Sequence, residues 1–397
     1  MSDGPKLLSI IAAPLMHLKM GFNPTDCVSL KNLREWLVIP DDRAVGSTWI
    51  ATKQILAYKN RRNITQNCHK LLRLSPWSEV KVGYAPASKP TIYFIGVTTQ
   101  QSSIMSVFPK WAEYLKLGDL DIKGIDFVPH SAPEQYCEVV KFIKDDPLSY
   151  GALVTTHKLD LFDACKHQFD FIDPHAKLMS EVSSISKRDG ALRCHAKDPI
   201  SSGLSIDGFL PTNHFKNTDA GLLCMGAGGS AIAITWYLLQ EMRGADRPRK
   251  IVVTNRSRPR LDHIKHIHTQ IRADIPITYI LAEQPETNDQ AMESMPEASV
   301  IINATGLGKD ASGSPITING VFPKNAIAWD LNYRGNLIFL DHAHNQHKSR
   351  NLQVEDGWTY FIHGWTQVIS EVFDIEIPAF GDSFSQLSLI AHNCRKA

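Results

Sequence analysis

Apolar and polar positions alternate along most of this chain in blocks of two kinds. Short β-rich apolar runs are followed by longer stretches in which apolar residues recur every three or four positions. From residue 91 the first block is a strand at Thr91–Val97, followed by a helix with Ile104, Phe108, Trp111 and Leu115 on one face. A second strand is expected at Ile122–Val128, and Pro133 then opens a helix that turns Tyr136, Val140 and Ile143 inward. A third strand covers Gly151–Thr155, with Leu159, Phe162, Cys165 and Phe169 after it at helical spacing. Strands alternating with helices predict a parallel sheet built from βαβ units. Asp198-Pro199 reads as a helix start, Asp as cap and Pro in the first turn, for a helix running to about Leu210.

A polar stretch, 211–219, leads into a second α/β region. There the apolar run Leu222-Leu223-Cys224-Met225 stops at Gly226-Ala227-Gly228-Gly229-Ser230-Ala231 and becomes a helical pattern through Ile232, Trp236 and Leu239. A dinucleotide site needs that order. Glycines let the backbone turn sharply and approach a diphosphate, and the helix N-terminus offers free N–H groups and partial positive charge. A strand-to-helix glycine turn without a ligand is the competing reading of the motif alone. The next strand, Lys250–Thr254, ends in Asn255-Arg256-Ser257-Arg258. NAD sites usually carry an acid there for the ribose 2′-hydroxyl, whereas arginine suits a 2′-phosphate, so NADP is expected. Strands at Ile277–Leu281, Ser299–Asn303 and Ala326–Asp330 and helices at Ile362–Phe373 and Phe384–Asn393 complete the pattern.

Composition narrows the partners. The 397 residues, 43% hydrophobic and 21% charged with a net charge of +1, are ordinary for a globular protein of two or three domains. Such a balance gives no electrostatic footprint for nucleic acid or an anionic membrane. The seven cysteines are scattered without Cys/His ligand spacing, which predicts reduced thiols, no metal site and a cytoplasmic protein. Leu7–Met16 is apolar but short and broken by Pro14, and reads as a packed segment rather than a signal peptide. Residues 1–90 show no motif beyond a basic turn at Lys59–Arg62 and an Asn63-Ile64-Thr65 sequon that matters only in a secreted protein.

Taken in order, several landmarks resemble the shikimate dehydrogenase family (shikimate/quinate dehydrogenase-like). They are Val154-Thr155-Thr156-His157-Lys158, His195-Ala196-Lys197-Asp198, the Gly226–Ala231 loop, Asn255-Arg256-Ser257, Asn303-Ala304-Thr305-Gly306-Leu307-Gly308, Asp330-Leu331-Asn332-Tyr333 and Gln367. The resemblance implies an α/β protein with an N-terminal substrate domain and a C-terminal Rossmann-like NADP domain. On that frame, 1–90 is an extension of unassigned role, 91–210 the substrate-binding and catalytic domain, and 211–375 the NADP domain. Helices within 376–397 would pack back on the first domain. The resemblance also implies that Lys158 and Asp198 are the acid–base pair. Ser102, Thr155, Ser183 and Gln367 would contact a small-molecule substrate. Gly226, Ala227, Gly228, Gly229, Ser230, Ala231, Asn255, Arg256, Ser257 and Thr305 would hold the cofactor. Hydride delivery to a ketone leaves an alkoxide, which an ammonium beside a carboxylate can stabilise and protonate.

The family pattern departs mainly in the substrate half. The second serine after Ser102 is replaced by Ile104, an asparagine by Leu153, and the proline before the lysine by His157. The stretch Gly-Ala-Val-Asn-Thr becomes Ser180-Glu181-Val182-Ser183-Ser184, and His363 and Tyr360 stand in the late glutamine motif. The expectation is therefore an oxidoreductase acting on a cyclic hydroxy acid or ketone related to shikimate or quinate. His157 and His195 are open candidates for proton relay. The rival is a metabolite or NADP sensor that kept the fold without turnover. The extension has three candidate roles, cover for the sheet edge, a dimer interface or an extended substrate lid, and a homodimer is left open.

Overall fold

Thr91–Gly96 (β1) is buried at every position, as befits a parallel strand covered on both faces. It belongs to a computed structural model that describes residues 83–271, 274–309 and 311–395. By backbone contact the chain divides into Met1–Gly83 and Tyr84–Ala397, and the second unit is the one described. The expectations placed on the extension up to residue 82, including Leu7–Met16, the basic turn and the sequon, lie outside the described residues.

The first sheet contains β1, β2 (Asp121–Asp126), β3 (Ser149–Val154), β4 (Phe171–Ile172), β5 (Ser184–Arg188) and β6 (Ala191–His195), in the order β2-β1-β3-β5-β6-β4. The pairs β1–β2 and β1–β3 are parallel. The expectation of a wholly parallel sheet fails at β5, which runs antiparallel to both β3 and β6. The β5–β6 pair is closed by a two-residue turn, Asp189-Gly190, with both residues at positive φ (52° and 76°), the geometry of a hairpin. Helices α1 (Ile104–Tyr114), α2 (Pro133–Asp145), α3 (Lys158–Cys165) and α4 (Pro174–Met179) accompany the sheet. Next comes α5 (Asp198–Phe209), whose cap is Lys197 rather than Asp198. Asp198 is the first helical residue, and its carboxylate is turned to Lys158 instead of its own helix N–H groups. A short helix, α6 (His214–Asn217), occupies the polar link.

The second sheet is parallel throughout: β7 (Leu222–Met225), β8 (Ile251–Asn255), β9 (Ile277–Leu281), β10 (Val300–Asn303), β11 (Ile327–Asp330) and β12 (Gln353–Glu355). Its order, β12-β11-β10-β7-β8-β9, reverses direction between β7 and β10. That reversal makes a crevice at the carboxyl ends of these two strands, the place where doubly wound sheets bind ligands. Helices α7 (Gly229–Leu239), α8 (Arg258–Ile271), α9 (Pro285–Glu293) and α10 (Ile338–Arg350) connect the strands.

The last helices, α11 (Trp358–Phe373) and α12 (Asp382–His392), return to the first sheet. Phe361, Ile362, Trp365, Val368 and Leu387 share one core with Ile92, Phe94, Phe108 and Trp111. Trp111 Nε1 donates to Leu387 O at 2.8 Å, fixing the return. It begins at Trp358, ahead of residue 376, because the apolar face of α11 already needs cover. No helix among the described residues is long and apolar enough to cross a membrane.

Candidate active site

The ends of β1 and β3 from one sheet and of β7, β8 and β10 from the other border a single cleft of about 990 Å3. After β3 the chain passes through Thr155 and Thr156, and Thr156 is left-handed (φ 61°), an uncommon state for a β-branched residue. His157 then turns inward, fully buried, with Nε2 3.1 Å from Gly96 O and Nδ1 2.9 Å from the Tyr136 hydroxyl. Burial holds the imidazole below the ordinary histidine range. His157 thus ties the turn to β1 as a neutral ring and does not line the cleft. Beside it Lys158, the first residue of α3, does.

Lys158 Nζ donates to Asp198 Oδ2, and both side chains are largely buried, 14% and 8% exposed. Asp198 is positioned by the preceding chain. Ser183 Oγ accepts from Lys197 N at 2.6 Å, and Lys197 Nζ reaches Glu371 Oε2 at 2.7 Å. The Tyr360 hydroxyl lies 3.1 Å from the same Asp198 oxygen and 3.2 Å from Ser230 Oγ on the glycine turn. Burial first, and Asp198's charge next, push the Tyr360 phenol well above its ordinary pKa, so it donates rather than ionises. His195 sits outside the cleft, between Asp173 (3.4 Å) and Glu371 (3.1 Å), where it braces α11 against β6.

Gly226 through Ser230 border the cleft, whereas Ala231, in the first turn of α7, is fully buried and does not. Gly226 has φ +124°, and a Cβ there would lie 2.5 Å from Ala304 O, so only glycine fits between β7 and β10. Gly228 has open space where a Cβ would project, and no side chain caps α7. This turn can therefore receive a diphosphate on backbone N–H groups. Asn255, Arg256 and Ser257 line the same cleft with Arg260. Asn255 Oδ1 accepts from Ser257 N at 2.8 Å, which shapes the start of α8. Arg260 reaches across to Asp160 at 3.5 Å. Thr305 is held by Asn303, whose Oδ1 accepts from its hydroxyl at 2.7 Å. Behind that loop Asp330 is buried, and desolvation raises its pKa to about 7.

At the other end, Ser102 Oγ lies 3.2 Å from the Tyr333 hydroxyl. Arg334 extends from the second sheet to Thr98 (3.2 Å) and Gln101 (3.4 Å) of the first. Thr155 and Ser183 also line the cleft. Gln367 does not. The row of α11 that faces the cleft runs through Tyr360, Phe361, Gly364, Trp365 and Val368, and the half-buried Gln367 lies one turn before Glu371. Sequence reasoning passed over Arg260 and Arg334, and named Tyr333 only as a landmark and Tyr360 only as a departure, with no site role for either. Glu181, a fully buried acid beside Lys158, entered the sequence reading only as part of the departing stretch Ser180–Ser184, with no role given to it.

No family model matches the chain. The shikimate dehydrogenase (NADP(+)) of Nitrosopumilus maritimus is 27% identical over 206 residues, 51% of this chain and 65% of that protein. That of Streptococcus thermophilus is 25% identical over 165 residues, 42% of this chain and 53% of that protein. The chain thus spans between half and two thirds of the length of these curated relatives. Among solved structures, a shikimate dehydrogenase in complex with NADP+ superposes with a TM-score of 0.58 at 17% identity. That match covers 79% of this chain and 98% of the other. A quinate dehydrogenase from Corynebacterium glutamicum in complex with NAD gives 0.57 at 14% identity, covering 77% and 99%. The chain therefore resembles shikimate dehydrogenases in sequence and shares the fold of the shikimate and quinate dehydrogenases.

Proposed function

On a fold shared with the shikimate and quinate dehydrogenases, we propose that this chain is an NADP-dependent oxidoreductase. It interconverts a ring ketone and its secondary alcohol on a small cyclic hydroxy acid. One observation carries the reading: the Lys158–Asp198 ion pair opens into the same cleft as the glycine turn at the crevice between β7 and β10. Gly226, Ala227, Gly228, Gly229 and Ser230 would receive the diphosphate. Asn255, Arg256 and Ser257 would hold the ribose phosphate, and Thr305 would stand at the nicotinamide end. When bound, NADPH supplies the hydride that converts the ketone to the alcohol.

The chain's own residues do the rest. Lys158 places an ammonium at the carbonyl oxygen, stabilises the developing alkoxide and donates a proton to it. Asp198 aims that ammonium, and Tyr360 holds the carboxylate from its other side. In the oxidative direction the same atoms run in reverse, with Lys158 taking the alcohol proton. Ser102, Thr155 and Tyr333 offer hydroxyls to a polyhydroxylated ring, and Arg334 adds a cation suited to its carboxylate. The two sheets exclude water from the pair, which strengthens these charges. The test is NADPH absorbance followed with a panel of cyclic hydroxy acids and ketones. Turnover supports the oxidoreductase, and tight binding of NADPH and a ring acid without turnover supports a sensor instead.

A further inference from the structure

Glu181 follows the left-handed Ser180 (φ 51°) that ends α4, and Val182 N donates to Lys158 O at 3.2 Å. The backbone therefore fixes Glu181 directly beside Lys158. The residue is fully buried, and neither carboxyl oxygen has a hydrogen-bond partner among the described residues. A Cβ on Gly229 would lie 2.1 Å from Glu181 Oε2 and 3.5 Å from Lys158 Cδ. The glycine at the start of α7 thus makes room for this carboxyl from behind while its other side borders the cleft. An unpartnered buried carboxylate is costly, so the neutral acid is the favoured form. Burial, and next the charge of Asp198, raise its pKa to about 8 against the opposing pull of Lys158.

We propose that Glu181 is a positioning residue for the dinucleotide, which must keep its proton for a diphosphate to seat on the glycine turn. This deepens the NADP reading and rests on it. An ionised carboxylate behind Gly229 would cancel the partial positive charge of the α7 N-terminus and repel the diphosphate. The charged or titratable groups around Glu181 are Lys158 on α3, Asp198 on α5, Asp173 at the cap of α4, Cys194 on β6 and Tyr360 on α11. From α7 the uncharged Gly229 faces it. The Cys194 thiol and the Tyr360 phenol are both pushed upward by burial, so neither ionises near pH 8. The sign follows: affinity is full while Glu181 is protonated and falls as pH rises through about 8.

The test is NADPH binding to the full chain, followed by fluorescence from pH 7 to 9.5, for the wild type and for Glu181→Gln. The wild-type Kd is expected to rise above pH 8, approaching tenfold per pH unit as one proton becomes linked to binding. The Gln variant is expected to match the wild type at pH 7 and to stay nearly flat. Parallel curves, or a flat wild-type curve, overturn the inference. Calorimetry of the wild type at pH 8.5 in two buffers of different ionisation enthalpy needs no variant: proton uptake on binding supports the inference, and none overturns it. Absence of NADPH binding at every pH would instead overturn the oxidoreductase reading itself, and this inference with it.

Discussion

The hydroxyl of Tyr360 stands 3.1 Å from Oδ2 of Asp198, the oxygen that also receives Lys158. It stands 3.2 Å from Ser230 on the glycine turn as well. A residue of the last long helix therefore joins the ion pair of the first sheet to the turn of the second. The pair's geometry then depends on how the two halves of the cleft meet.

Tyr360→Phe removes that hydroxyl and leaves the ring against Trp329, 5.9 Å between centroids. A hydrogen bond to a charged group is worth about 1.5–3 kcal/mol, so kcat is expected to fall roughly tenfold or more. Steady-state kinetics and the melting temperature check it together. An unchanged kcat would mean that Asp198 needs no support from α11.

The glycine turn gives a contrast between neighbours. Gly226→Ala sets a Cβ 2.5 Å from Ala304 O at a φ of +124°, and is expected to cost roughly 1–3 kcal/mol of stability. Gly228→Ala meets nothing within 4 Å, so its melting temperature should hold while NADPH affinity falls as the methyl enters the diphosphate's space. Thermal melts and NADPH titrations of both variants separate the two roles.

Arg256 lines the cleft beside Asn255 and Ser257 and is solvent-exposed. Arg256→Ala is expected to weaken NADPH binding roughly tenfold, the loss of one charge-assisted contact, while leaving NADH binding nearly unchanged. Equal losses for both dinucleotides would place Arg256 away from the 2′-phosphate.

Asp330 makes a pH prediction about stability. Its pKa is raised to about 7 by burial, above the roughly 3.9 of an unfolded chain. Between those values the unfolded state releases a proton that the folded state keeps, so this residue's contribution to stability falls as pH rises from about 4 to 7. Asp330→Asn removes that dependence. The variant's unfolding free energy relative to the wild type, followed by denaturant melts, is expected to climb across the window by at most about 1.4 kcal/mol per pH unit. A constant difference would mean that Asp330 is ionised when folded.

Much of the second sheet was legible because its strands are local apolar runs bounded by turn residues. Ile277–Leu281 is where the pattern put it, and β7 with its glycine turn is a strand-to-helix signal within ten residues. The β5–β6 hairpin escaped because Lys187, Arg188 and Arg193 interrupt its apolar positions and only Asp189-Gly190 marks it. The partners of the ion pair escaped for another reason. Tyr360 lies 162 residues from Asp198, and Glu181 becomes unusual only when α7 covers it. No local pattern encodes such meetings. Gln367 shows the limit of a motif read along a helix: it stands about one turn beyond Gly364, and Gly364 rather than Gln367 borders the cleft.

The most direct test of the oxidoreductase reading is Lys158→Met, assayed for NADPH binding and for turnover of whichever ring acid or ketone the wild type accepts. Removing the proton donor is expected to lower kcat by roughly a hundredfold to ten-thousandfold, with NADPH affinity within a few fold of wild type. Turnover that survives the substitution would contradict the role given to Lys158.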